Sequence, residues 1–165
     1  RESVFAQRVA APETSVEITE PLPATTLVCD GRIVGQALTN VLKNAGEAIA
    51  ARRLQEPEPK GHIQAAIVLR PGHLDIVIED NGVGLPAKDR DRLTEPYVTT
   101  REKGTGLGLA IVKRILEDHG GALTLTDAAR GRGARVVLSF PHAPANHPPT
   151  DETPASPQAV RELNA

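Results

Sequence analysis

Two glycine clusters, Asp80-Asn81-Gly82-Val83-Gly84 and Gly104-Thr105-Gly106-Leu107-Gly108-Leu109, constrain this chain more than any other feature, because each lies where a regular element meets a loop. The first follows Leu74-Asp75-Ile76-Val77-Ile78-Glu79, whose alternation of apolar and acidic residues is that of a half-buried strand, so Asp80 falls at a strand end where its carboxylate can face a pocket. The second opens a run from Leu107 to Leu116 that is apolar at helical spacing, so its glycines lead into a helix N-terminus, whose free N–H groups suit phosphate. A strand-end carboxylate and a glycine-led helix start, bracketing one polar loop, imply a nucleotide site.

From Arg32 to Arg53 the residues Ile33, Val34, Ala37, Leu38, Val41, Leu42, Ala45, Ala48 and Ile49 recur at three- and four-residue spacing, which predicts an amphipathic helix with Asp30 as its N-cap. Asn40, Asn44 and Glu47 stand close together on it, at i, i+4 and i+7. Read from this helix alone they are equally a solvated polar stripe, and the neighbouring motifs must decide.

The rest of the chain supplies short strands. Val16 to Thr19 and Thr26 to Cys29 are β-prone, separated by Pro21 and Pro23, and residues 1–14 read as the end of a preceding helix or linker broken at Pro12. Ile63 to Leu69 and Leu74 to Asp80 form an expected hairpin through Pro71-Gly72. Leu85 to Leu93 could form a short charged helix, and Glu95 to Lys103, which has no period, reads as a mobile loop. The second long helix should end at His119-Gly120-Gly121, with glycine as the left-handed cap. Leu123 to Thr126 and Arg135 to Phe140 are two more strands, joined through Arg130-Gly131-Arg132-Gly133. This order predicts an α/β domain over 15–141, a mixed sheet with helices packed on one face. Beyond it, 142–165 is rich in Pro and nearly without apolar period, and disorder is expected there.

Composition narrows the classes. The 165 residues are 39% hydrophobic but only 2% aromatic, with no Trp or Met, so one domain with an aliphatic core is expected. A formal net charge of −2 gives no basic footprint for nucleic acid and no reason for electrostatic membrane contact. A single cysteine, Cys29, rules out an internal disulfide or a multi-cysteine metal site and fits a reducing, cytoplasmic compartment; in its aliphatic segment it reads as a buried small residue. No apolar run approaches the roughly 20 residues of a membrane span. Residue 1 is Arg rather than Met, so a piece of a longer protein is expected, whose other parts could carry an inner-membrane anchor.

Set in order, the blocks Asn40 to Asn44, Asp80 to Gly84, Glu95-Pro96-Tyr97-Val98-Thr99-Thr100 and Gly104 to Leu109 resemble the N, G1, F and G2 boxes of the ATP-binding catalytic domain of bacterial sensor histidine kinases. The match runs from about Asp30 to Pro141, and its wording is most similar to the nitrogen-regulation class. The resemblance implies a two-layer α/β sandwich, the Bergerat fold, which is unrelated to phosphate-loop or protein-kinase folds. It implies that Asp80 accepts a hydrogen bond from the adenine amino group and that Gly82 and Gly84 let the backbone approach the base. It gives Asn44 the role of Mg²⁺ ligand beside ATP, and sets Asn40 against the phosphates or the metal's water shell. Arg101, with Lys103, would pair with the terminal phosphates from a lid that includes Thr99 and Thr100. Gly104, Thr105, Gly106, Leu107 and Gly108 would lie along the triphosphate, with Leu107 and Leu109 anchoring the helix.

There are departures from the family. Glu47 stands where many members have a basic residue, and Ala48 where an aromatic one closes the pocket; this pair is more like the ATPases of the chaperone, gyrase and mismatch-repair group. In such hydrolases a Glu one turn before the metal-binding Asn serves as general base, and that position here is Asn40, an amide that cannot take a proton. Three functions are therefore weighed: transfer of the γ-phosphate to a histidine on a separate dimerisation and phosphoacceptor domain, with a response regulator downstream; ATP hydrolysis; and a degenerate ATP-responsive module. No His here carries the family's acceptor pattern, and His119, before Gly-Gly at a helix end, reads as structural.

Overall fold

The computed structural model describes residues 2–56, 60–98 and 104–142. In chain order the elements are α1 (Glu2–Ala10), β1 (Ser15–Ile18), α2 (Gly31–Arg53), β2 (His62–Arg70), β3 (His73–Asp80), a 3-10 turn (Arg90–Thr94), α3 (Gly108–Asp118), β4 (Ala122–Asp127) and β5 (Ala134–Pro141). The strands form one sheet in the order β1-β2-β3-β5-β4, parallel between β1 and β2 and antiparallel elsewhere, so the sheet is mixed.

Side-chain alternation decides which face is covered. On β5, Val136, Leu138 and Phe140 belong to the core, and their cross-strand partners Ile78, Ile76 and Leu74 on β3, with Leu125 and Leu123 on β4, lie on the same face. The intervening Arg135 and Glu79 instead pair with each other on the opposite face, at 2.9 Å. Against the apolar face pack Val34, Ala37, Val41, Leu42, Ala45 and Ile49 of α2 and Val112, Ile115 and Leu116 of α3. The core is aliphatic apart from Phe140, as composition requires, while Phe5 and Tyr97 are exposed.

The helix ends follow local chemistry. Asp30 Oδ1 accepts from the backbone N–H groups of Arg32 and Ile33, at 3.0 and 3.2 Å, and so caps α2. At the far end of α3, Gly120 takes φ 67° and Gly121 N donates to Leu116 O at 2.7 Å, closing the helix. His119 braces the two termini. Its Nδ1 lies 2.7 Å from Ile115 O and its Nε2 accepts from Asp30 N at 3.3 Å, while its ring meets Phe140 edge-on.

Three expectations change. Thr26 to Cys29 is not a strand: Leu27 and Cys29 pack toward the core and Val28 is 99% exposed, but the backbone joins no sheet edge. Cys29 is accordingly half-buried rather than enclosed. The expected helix from Leu85 to Leu93 is reduced to the single 3-10 turn at Arg90–Thr94, because Asp89 takes the left-handed φ of 56° and breaks any continuous run. Arg101 and the tail beyond His142 lie outside the described residues.

Candidate functional site

The end of β3 and the middle of α2 enclose an open cavity of about 650 Å³, within the range of small-molecule sites. Asn40, Asn44 and Ala48 reach it from α2, Asp80 from the last position of β3, Gly84 from the turn beyond, and Gly104 to Gly108 from the entry to α3. The sequence-predicted groups, separated by up to 68 positions between Asn40 and Gly108, thus converge on one space. Its floor is apolar, from Ile78, Val136, Leu125 and Ile111.

Asp80 is 6% exposed. Its Oδ1 accepts from Gly82 N at 2.8 Å and from Ala134 N at 3.4 Å, which fixes the carboxylate on the cavity wall. Asn81 turns away to secure the strand end, accepting from His62 N and donating to Lys60 O, both at 2.8 Å. Val83 N then donates to Ala48 O at 3.1 Å, tying the turn to α2. Gly82 is not itself a lining residue: a Cβ there would meet Ala48 Cβ at 2.7 Å, so its lack of a side chain lets the turn lie on the helix. Small Ala48 contributes to the same close approach.

At the other end, an ideal Cβ on Gly108 would lie 3.6 Å from Asn44 Nδ2, which brings the start of α3 against the polar stripe of α2. The N-cap position of α3 is Leu107, which makes no side-chain cap hydrogen bond; Gly104 to Leu109 line the cavity, so the positive end of the helix dipole lies at its edge. Gly106 has φ 67°, and a Cβ on it would stand 2.6 Å from the Tyr97 carbonyl carbon; Tyr97 N donates to Gly106 O at 3.1 Å. Thr99, Thr100, Arg101 and Lys103 lie outside the described residues.

Several residues at this site were not singled out by motif. Lys43 lines the cavity and pairs with Glu47 at 3.9 Å; its place beside Asn44 was the available signal. Leu93 and Pro86 reach the cavity because Arg90 fixes their segment to the end of β4, with two 2.9 Å bonds to Asp127 and one of 2.8 Å to Pro86 O. Gly133 lies directly under Asp80: a Cβ on it would fall 1.8 Å from Asp80 O. Two glycines between two strands signalled a turn there, but not that it packs beneath a residue 53 positions earlier.

Comparison with known proteins agrees with this geometry. The family described as histidine kinase-, DNA gyrase B-, and HSP90-like ATPase matches residues 29–144. The nitrogen regulation protein NtrY of Azorhizobium caulinodans is 48% identical over 162 residues, 97% of this chain and 20% of that protein. A putative NtrY-like sensor histidine kinase of Rickettsia conorii is 38% identical over 113 residues, covering 68% of this chain and 18% of its own. The chain therefore spans about a fifth of the length of the curated relatives it matches. Among solved structures, the mycobacterial sensor histidine kinase MprB superposes with a TM-score of 0.71 at 29% identity, over 85% of this chain and 91% of that one.

Proposed function

Because the chain belongs to the histidine kinase-, DNA gyrase B-, and HSP90-like ATPase family, we propose that it is the ATP-binding catalytic domain of a sensor histidine kinase and presents the γ-phosphate of ATP to a histidine on a separate dimerisation and phosphoacceptor domain. The observation that carries this reading is the convergence of Asp80, Asn44 and the start of α3 on one cavity. In this reading Asp80 accepts from the adenine amino group, while the turn at Gly82 to Gly84 and the apolar floor enclose the base. The N–H groups at Gly106 to Leu109 receive the phosphates, supported by Arg101 and Lys103.

The residues present also suit a metal carried in by the nucleotide. The described residues contain no cluster of three or more His, Cys, Asp or Glu able to hold an ion, and Mg²⁺ prefers to keep waters and phosphate oxygens with few protein ligands, so the Asn44 carboxamide would complete its shell. Bound there, Mg²⁺ would neutralise charge on the terminal phosphates. Asn40, one turn earlier, can orient a water or phosphate oxygen but cannot deprotonate a nucleophile, which disfavours hydrolysis.

By the same reading residues 15–141 are the catalytic unit, 1–14 arrive from the acceptor segment and 142–165 trail from it. The downstream partner is a response regulator, and the setting is cytoplasmic, the parent being anchored in the inner membrane. Among the described residues no helix is long and apolar enough to cross a membrane.

Mg²⁺-ATP should raise the melting temperature, by the equivalent of about 2.7 kcal/mol at a hundredfold excess over Kd, and GTP far less. Asn44→Ala should remove most of the Mg²⁺-dependent part of that gain, and equal losses with and without EDTA would contradict the assignment. Mixed with γ-labelled ATP alone, the chain should neither label itself nor release phosphate appreciably. Given its parent's acceptor hairpin, it should label that hairpin on histidine, as an acid-labile, base-stable adduct. Transfer will be slow, since tethering normally supplies an effective concentration of about millimolar order. Rapid phosphate release would favour a hydrolase, and an unlabelled hairpin at saturation would favour a module that only binds.

A further inference from the structure

The turn carrying Asp80 is gripped from outside by two arginines that no nucleotide motif contains. Arg52, in the last turn of α2, donates from Nη1 to Asn81 O at 2.8 Å, and Arg132, in the β4–β5 connection, donates from Nε to Val83 O at 3.1 Å. Glu56 stands between them: its Oε2 takes Nε and Nη2 of Arg52, both at 3.2 Å, and its Oε1 takes Nη1 of Arg132 at 3.1 Å. One carboxylate thus orients two guanidinium forks, and each fork holds a carbonyl of the turn. A planar guanidinium can serve a carboxylate and a carbonyl in different directions at once, which the single ammonium of lysine cannot do with fixed geometry.

We propose that Arg132, acting with Arg52 through Glu56, is a positioning residue for the base end of the cavity, so that the β4–β5 connection sets nucleotide affinity and base selectivity without touching the ligand. This role rests on the reading of the cavity as an ATP site. By holding Val83 O, Arg132 keeps Gly84 and the Asp80 carboxylate at the wall that receives the base. The ion pair itself contributes little to global stability, because the side chains of Arg132 and Glu56 are 43% and 46% exposed. What it controls is local, the fraction of molecules in which a short turn is correctly set. Affinity falls in proportion when that fraction falls.

Arg132→Ala should therefore weaken ATP, ADP and adenosine by one common factor, about threefold to tenfold, and narrow the preference for ATP over GTP. The melting temperature without nucleotide should barely move. In the same nucleotide-free protein, amide exchange at Val83 and Gly84 should accelerate. Arg132→Lys should restore the charge but not the affinity, and Glu56→Gln should act in the same direction as Arg132→Ala. Loss confined to ATP and ADP would make Arg132 a phosphate contact and overturn the proposal. So would a lowered melting temperature with unchanged base preference, which is the mark of a merely structural residue. If the unsubstituted chain binds no adenine nucleotide, the ATP reading falls and this role with it; if it binds and Arg132→Ala binds equally well, only the positioning role falls.

Discussion

Asp80→Asn should abolish ATP binding while leaving the fold intact. The Asp80 carboxylate accepts from Gly82 N and Ala134 N through Oδ1, and in the proposed site it also accepts from the adenine amino group. Asparagine keeps the shape but replaces one acceptor oxygen by an NH₂ donor. Placed toward the base, that donor meets the adenine donor; flipped, it meets the two backbone donors instead. No rotamer satisfies both sides. Losing a hydrogen bond to a charged acceptor costs about 1.5 to 3 kcal/mol and leaving a buried donor unpaired about 1 to 3 more. The sum, roughly 2.5 to 6 kcal/mol, is about two to four orders of magnitude in Kd. Calorimetric titration with ATP checks it, and an Asp80→Asn variant that binds within threefold of the parent would remove Asp80 from the site.

Gly133→Ala should produce the largest loss of stability outside the helix–sheet core. The φ of Gly133 is 148°, and its new Cβ would fall 1.8 Å from Asp80 O and 3.0 Å from Asn81 Cα. Those are backbone atoms of a strand end bonded on both sides, so the collision cannot be relieved by turning a side chain. Overpacking costs about 1 to 3 kcal/mol and an unfavourable backbone region about 1 to 3 more. Against the marginal stability of a domain this size, a fall in melting temperature on the order of 10 °C follows. Gly131→Ala is the control. It shares a positive φ of 71° but has nothing within 4 Å, so it should lose only the backbone contribution. Equal shifts for the two variants would show that the contact beneath Asp80 is not what demands glycine.

These two residues also mark how far the sequence could be read. Helix α2, the β2–β3 hairpin, α3 and the last two strands were legible to within a residue or so, because their apolar residues repeat with the period of the element and their ends carry Asp30, Gly72 and Gly120. Thr26 to Cys29 misled for a physical reason. The β-propensity of Thr26 to Cys29 reports side chains that suit a half-buried surface, but a strand also needs a paired backbone, and this segment packs Leu27 and Cys29 toward the core without joining the sheet. Asp80, Asn44 and the glycines of the second cluster could be singled out because they stand in contiguous motifs, and the structure brings them to one cavity. Gly133, Arg52 and Arg132 could not be, because their roles exist only where the β4–β5 connection meets the end of β3, and no local period encodes that meeting.

The brace made by His119 bears on where phosphate can reside. With Nδ1 directed at Ile115 O and Nε2 accepting from Asp30 N, the ring is held as the Nδ1–H tautomer and its single lone pair is already engaged by a backbone N–H. The histidine closest in sequence to the second glycine cluster thus has both ring nitrogens turned to backbone groups, and in the proposed reaction the γ-phosphate goes to a nucleophile other than His119.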